Sequence, residues 1–577
     1  MLRAQTAVEM QRLQWFGMNT RSGWFMFLAA VALFLVLNRP AYKGYFQSDD
    51  FDTMGWARVL GWQDFAKGLV TPQLSPVNFR PTGAFYYHVM FNGFGLDFPK
   101  YLLPLHGLHL LNIWLVWLLI RKLGLGTFAA TAAAFFFGFH AALTDAWWKP
   151  MFVFDVLCCT FSLAVLLLYA YDRWILSLAA LWLAYKSKEL AITLPMALAC
   201  YELWLGGKRW KRLVPFFAVS VLFGLQAVIL RPGRGEYAMQ LGWVAQATTT
   251  SFYASQLFFA PYAGLVMLAL PFMIRTRQAW FGLATACFLI APLLLLPGRL
   301  FAVYWYVPLI GAAMIVASVA ESRRGAVAAA VFLALWIPWD FVHFRERRRL
   351  DERQEQQYRG YVAALQRYAG VTPDQRLFVW DYLPDGFSEA GVTGALECIY
   401  RTRHVNVRYI DEPGADELIQ RGDAAWLRWN RLFSRLDVIR YPRLPRPVSY
   451  LVMDSTVPAG QLVSGWFRLE GAIRWTRPDA TAVLYRPEGA RTFELVTYLT
   501  EPQIAKHKKI DVHLLLDGRP FAEHEFTIPG SQTVRWPVPR GTPGPVTIEF
   551  HTTPPYNYPP DTRVFGITVA AFGFVAK

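Results

Sequence analysis

Cysteine is scarce in this chain, five in 577 residues, and none is placed for a covalent or metal framework. Cys158, Cys159, Cys200 and Cys287 fall inside apolar runs, Cys398 stands alone in the polar C-terminal part, and no CxxC pair occurs. That spacing speaks against a disulfide-stapled domain and against a zinc ribbon. Charge is scarce as well: only 17% of residues are Asp, Glu, Lys or Arg, with 41 acids against 57 bases. The resulting +16 does not call for nucleic acid as a partner, because much of the excess sits in short loops between apolar runs, where membrane proteins carry Lys and Arg. Residues 345–577 lack any apolar run able to cross a bilayer core of about 30 Å.

What the chain has is hydrophobic length: 55% of residues are apolar and the mean hydropathy is +0.26. Runs near 22–38, 101–120, 127–143, 152–170, 174–187, 190–205, 213–230, 252–274, 279–296, 302–319 and 326–343 predict about eleven crossings. The expected fold is a polytopic α-helical membrane protein with a C-terminal α/β plus β-sandwich region. Its parts divide at 1–343, 344–447 and 448–577. The first run has a basic flank (Arg3, Arg12, Arg21) but is followed by Asn38, Arg39 and Pro40 rather than a small-residue cleavage site, which predicts an uncleaved helix.

Loop charge predicts the orientation. With the N-terminus inside, the cytoplasmic segments hold Arg3, Arg12, Arg21, Arg121, Lys122, Arg173, the "GGKRWKR" loop (206–212), "RTR" (275–277) and "ESRR" (321–324). The short outer loops hold only Lys149, Lys186, Lys188, Arg231, Arg234 and Arg299. An odd number of crossings then puts the long loop 39–100 and the whole tail outside, on the periplasmic or extracellular face of a cytoplasmic membrane.

Loop 39–100 is too long for a simple connection. Met54, Ala57, Leu60 and Gly61 share a helical face in "DTMGWARVLGWQDF" (52–65), and Trp56, Trp62, Phe65, Phe79, Phe85, Tyr86 and Tyr87 suit a headgroup-level position. Past the last crossing, 345–370 reads as a charged connector helix. Strands are expected at 376–383 and 404–411 and a helix near 415–436. Further strands are expected at 462–471, 481–486, 493–500, 510–518, 545–552 and 564–575, with a hairpin turning at Asp517–Gly518.

Candidate chemistry gathers on the outer side. "SDDFD" (48–52) places three carboxylates just past the first crossing, where Ser48, Asp49 or Asp50 also suits the cap of a surface helix starting near Asp52. "SKE" places Lys188 and Glu189 between two crossings, and "GRLFAVYWYVP" puts Arg299, Tyr304 and Tyr306 at a similar depth, although Lys and Arg at helix ends also serve as anchors. A carboxylate base and cations at one face are what sugar transfer from a lipid phosphate requires. His106, His109 and Asn112 lie three apart on one side of the second crossing. HxxH supplies only two metal ligands, so interhelical hydrogen bonding is the expected role. Asp145 and Lys149 are spaced for a loop ion pair or for orienting an acceptor.

The ordered set "SDDFD", "NFRPTGAFYYHVMFNGFGLDFP…HGLHLLN", "DAWWKPMFVFDVL", "SKELAITLPMALACYEL" and "GRLFAVYWYVPLIGA" resembles the polyprenyl-phosphate-sugar glycosyltransferases of the GT-C fold class, especially the protein O-mannosyltransferase branch, over about residues 20–343. The resemblance implies an inverting transferase with Asp49 or Asp50 as base; two Asp stand where many relatives have Asp–Glu, so which one acts stays open. It implies Lys188, Arg299 and Arg80 on the donor phosphate, with Glu189, Asp145, His109, Asn112 and Tyr306 in support. The late Arg/Tyr/Pro stretch matches only approximately. Expected partners are a polyprenyl-phosphate sugar, an extracytoplasmic glycan, lipid or protein acceptor, and membrane lipids. No cofactor is required, and a divalent metal is left open. The tail resembles jelly-roll carbohydrate-binding modules, for which an acceptor-holding and a purely covering role are both open. Rival readings are a transporter or flippase, and a scaffold that binds glycolipid without catalysis.

Overall fold

The computed structural model describes residues 20–71, 80–230, 236 and 238–575. The expectations attached to Arg3, Arg12, Phe79, Arg231 and Arg234 lie outside those residues. The chain forms two compact units, Met1–Arg359 and Gly360–Lys577.

The first unit is helical. Among the described residues five helical segments are long and apolar enough to cross a membrane: Gly23–Lys43, Phe98–Lys122, Pro150–Ala170, Arg277–Leu294 and Arg323–Val371. Two bent pairs, Thr127–Gly138 with Ala141–Trp148 and Trp243–Phe258 with Ala263–Ile274, raise the number to seven if each is one span. The remaining expected crossings form shorter helices, Trp174–Ser187, Leu194–Trp204, Val214–Leu230 and Leu309–Ala320. Large apolar side chains such as Phe25, Val36, Ile175, Phe272 and Leu335 stay exposed on these helices, as suits an integral membrane protein.

Packing explains several local choices. Phe98–Lys122 lies against Thr127–Gly138 and Val153–Ala170, and the latter against Trp174–Ser187. Helices Arg277–Leu294 and Leu309–Ala320 approach so closely that a Cβ at Gly282 would lie 2.8 Å from the Gly311 carbonyl; small residues permit this contact between membrane helices.

Two expectations for this unit need correction. The 52–65 stretch is two helices, Ser48–Ala57 and Trp62–Val70, and Met54 and Ala57 are fully buried rather than set on a membrane surface. The last crossing and the charged connector are one 49-residue helix, Arg323–Val371, because no Gly or Pro lies at their junction, residues 339–359, and Pro338 is tolerated inside.

The second unit begins with a mixed sheet: β1 (Leu377–Trp380) pairs in parallel with β2 (Asn406–Tyr409) and β3 (Ala425–Asn430), and β4 (Arg435–Ile439) is antiparallel to β3. The helix expected at 415–436 ends at Gln420. Gly422 there has φ +67°, and the following "AWLRWN" forms a strand buried on both faces over its first half, with Trp426 and Leu427 in the core.

Two further sheets enclose one apolar core. The first runs in the order β10 (Arg519–Phe526), β9 (Ile510–Leu516), β12 (Gly544–Thr553), β7 (Ile473–Arg486) and β15 (Thr568–Val569), with β6 (Leu462–Glu470) also on β7. The second is β11 (Gly530–Pro537), β8 (Thr492–Leu499), β16 (Ala571–Val575) and β5 (Tyr450–Val452). Trp466, Leu484, Leu495, Leu514, Phe550 and Phe572 meet between them. The β9–β10 hairpin turns at Asp517 (φ +47°) and Gly518 (φ +73°), both left-handed as a two-residue turn of this kind requires.

Candidate active site

The acid motif forms the first turn of helix Ser48–Ala57, whose N-cap is Gln47, four residues earlier than a start near Asp52. Asp50 is the third helical residue and is fully buried. Its Oδ2 accepts the Gln47 backbone N–H at 2.6 Å and its Oδ1 accepts the Tyr87 hydroxyl at 2.5 Å. Burial pushes its pKa up to about 7 in spite of both hydrogen bonds. Asp49 is exposed and sits in the field of Arg299 and Glu236. Partial loss of hydration raises its pKa, Arg299 opposes that rise, and Glu236 adds to it. The two neighbouring acids therefore differ in kind: Asp50 has both oxygens engaged inside the protein, and Asp49 meets solvent.

The cations come from two other segments. Lys188 Nζ reaches both oxygens of Asp155, at 2.6 and 2.7 Å, with side-chain exposures of 15% and 2%. The same ammonium lies 4.5 Å from the centre of the Tyr304 ring. Arg299 donates to the Tyr304 hydroxyl at 3.2 Å and to Glu236, whose side chain is 67% exposed, at 3.1 Å. Arg299, Tyr304, Lys188 and Asp155 thus form one connected series, and Asp49 stands in the field of its Arg299 end. Arg80 joins its edge: it pairs with Glu189 at 2.7 Å, and Thr82 Oγ1 donates to the Lys186 carbonyl at 3.1 Å and to Ser187 Oγ at 2.9 Å. Gly83 makes that approach possible, since a Cβ there would run into the Phe154 ring.

The supporting residues are pinned between helices. His109 Nδ1 lies 2.5 Å from the Tyr306 hydroxyl and its Nε2 3.0 Å from the Gly138 carbonyl, while Asn112 donates to the Val156 carbonyl at 3.2 Å and to Tyr306 at 3.4 Å. His106 contacts Tyr42 and the Trp147 carbonyl. Lys149 pairs with Asp145 at 3.1 Å and with Asp351 at 3.0 Å, so Asp145 belongs to an ion pair. Among the described residues no three His, Cys, Asp or Glu side chains gather to hold a metal ion.

Reading the sequence missed Asp155, Tyr87, Glu236 and Glu355. Asp155 carried a signal, a lone acid inside the apolar run "FVFDVL" and hence in need of a partner. Glu355 carried none: it accepts from Arg348 at 2.7 and 2.5 Å and from the Gln47 side chain at 3.4 Å, 308 positions away.

No protein-family model matches the chain, and no curated protein does. Among solved structures it is similar to ArnT from Cupriavidus metallidurans, crystallised with undecaprenyl phosphate, at 16% identity and a TM-score of 0.45, over 71% of this chain and 94% of that one. It is also similar to the arabinofuranosyltransferase AftD from Mycobacteria, at 11% identity and a TM-score of 0.42, over 94% of this chain and 58% of that one.

Proposed function

We propose that the protein is a GT-C-like membrane glycosyltransferase that moves a sugar from a polyprenyl phosphate to a hydroxyl of an extracytoplasmic glycan, lipid or protein. The observation that carries this reading is the connected series Arg299–Tyr304–Lys188, with the exposed carboxylate Asp49 in the field of Arg299. Asp49 is the base: it is the solvent-facing acid, whereas both oxygens of Asp50 are already engaged. Its carboxylate takes the proton of the acceptor hydroxyl as that oxygen bonds to the anomeric carbon. The anomeric C–O bond to phosphate breaks, the electron pair leaves with the phosphate, and the carbon inverts.

Arg299 is the first choice for the departing phosphate, because its carboxylate partner is the most exposed of the three and the easiest to exchange for a ligand. Arg80 is second. Lys188 is tied to a nearly inaccessible acid, so its charge orders the site more than it attracts a donor. The tail and the 39–100 loop are placed outside on the charge asymmetry of the loops, and reporters fused after residue 577 and within 206–212 test that placement.

The test of function uses the full chain in lipid nanodiscs with a panel of hexose- and pentose-bearing polyprenyl phosphates. Expected is release of polyprenyl phosphate from one donor, with Arg299→Met raising the Kd for undecaprenyl phosphate at least tenfold. Failure of every donor to react, together with unchanged binding in Arg299→Met, refutes the proposal.

A further inference from the structure

A cleft of about 490 Å³ lies within the second unit, inside the range of roughly 300–1,000 Å³ typical of sites that enclose small ligands. Helix Ala415–Gln420 and the loop before it make one wall, β6 and part of β7 the other, and residues 561–563 close one end. Gly465, at φ +75°, lets β6 bend there, because any side chain at that position would strike the Asp479 carbonyl.

The lining carries both signs. Asp416 stands in the field of Arg468 and Arg563, while Arg477 and Arg563 lie 5.5 and 5.2 Å from the centre of the Phe467 ring. Arg563 is held in place by Asp561 at 2.6 Å and by Glu470 at 3.2 Å. Two buried atoms along the wall have no hydrogen-bond partner among the described residues, Asp416 Oδ1 and Gln420 Nε2, and Gln420 as a whole is only 7% exposed. A buried acceptor and a buried donor left unmet along one wall are costly unless a bound group meets them.

The mixture of charges selects the ligand. An anion would face five carboxylates, Asp416 and Asp561 among them, and a cation would face four arginines. A hydroxyl group donates to a carboxylate and accepts from a guanidinium or an amide, so a neutral chain of hydroxyls satisfies every lining group at once. We propose that this cleft binds a neutral saccharide, held by Asp416, Gln420 and Arg468, at a place separate from the transfer chemistry of the first unit.

The experiment titrates the full chain in nanodiscs free of sugar detergents and of lipid donor. The probes are neutral trisaccharides of gluco, manno, galacto and arabino configuration, followed by saturation-transfer difference NMR. At least one should bind, Asp416→Asn and Arg468→Met should each weaken it tenfold or more, and Ser464→Trp at the exposed rim should abolish it with an unchanged Tm. Asp49→Asn should bind the saccharide as the parent does, so a dead transferase and an empty cleft give different results. Binding by none of the four, binding that survives Ser464→Trp, or occupation by a zwitterionic peptide in their place would overturn the proposal. If Asp416→Asn does not fold, Ser464→Trp decides alone.

Discussion

Replacing Asp49 and Asp50 one at a time by Asn separates a base from a buried brace. For Asp49→Asn the shape is kept and the basicity lost, so turnover should fall by about 10²–10⁴-fold with donor Kd nearly unchanged. Asp50→Asn should lose less than about tenfold, since the amide oxygen still accepts the Gln47 N–H and the Tyr87 hydroxyl reorients to accept from the amide.

Stability should respond in the opposite order. The pKa of Asp50 rises from 3.8 unfolded to about 7 folded; the folded state therefore binds more protons than the unfolded one between these values, and stability falls as pH rises from about 4 to 7. Three units at about 1.36 kcal/mol each set a ceiling of about 4 kcal/mol on that loss. Asp50→Asn removes the titration, so its Tm in nanodiscs should vary less from pH 4 to 7 than the parent's, while Asp49→Asn keeps most of the slope. Turnover abolished by Asp50→Asn with Asp49→Asn near normal, or an unaltered pH slope in Asp50→Asn, would refute the assignment.

The other ion pairs and contacts give separate readouts. Lys188→Met strands the buried Asp155 and should cost about 3–5 kcal/mol, whereas Lys188→Met/Asp155→Leu should regain most of the Tm; a single variant as stable as the parent removes the structural role given to that pair. Gly83→Ala drives a methyl into Phe154 and should lower stability by about 1–3 kcal/mol and turnover with it, read by Tm and donor turnover, and a neutral result would mean the 80–83 segment is not tightly seated. Glu355→Gln should loosen the hold on Gln47 and raise the acceptor KM more than it lowers kcat, and an unchanged KM disconnects the polar end of the long helix from the acid motif.

The helical segments and most strands were legible because apolar length and alternation are local properties, as in β7 and the Asp517–Gly518 turn. Residues 421–436 depart from the helical expectation because Trp426, Leu427 and Trp429 fit either period while Gly422, at φ +67°, stops the helix. In the site, residue types were legible and pairings were not. The sequence alone does not show that Lys188 pairs with an acid, because its partner lies 33 positions earlier inside an apolar helix, and it leaves Asp49 and Asp50 alike, because nothing local indicates that Tyr87 covers Asp50.

Pairing also explains how a site with so many ions is kept in order before any ligand arrives. Arg359 donates to the carbonyls of Lys43 and Gly44 at 2.9 and 2.7 Å, Arg348 stacks 4.4 Å over Trp148 while gripping Glu355, and Glu355 in turn accepts from Gln47, whose backbone N–H caps Asp50. The polar end of the Arg323–Val371 helix thus fixes the segment that presents Asp49. Each of these contacts spends charge on internal partners, and Asp49 with the exposed Arg299–Glu236 pair is where the least has been spent. On the proposed function an incoming phosphate would displace only one solvated carboxylate there, while the buried pairs around it hold their geometry, which is the condition for a preorganised electrostatic site.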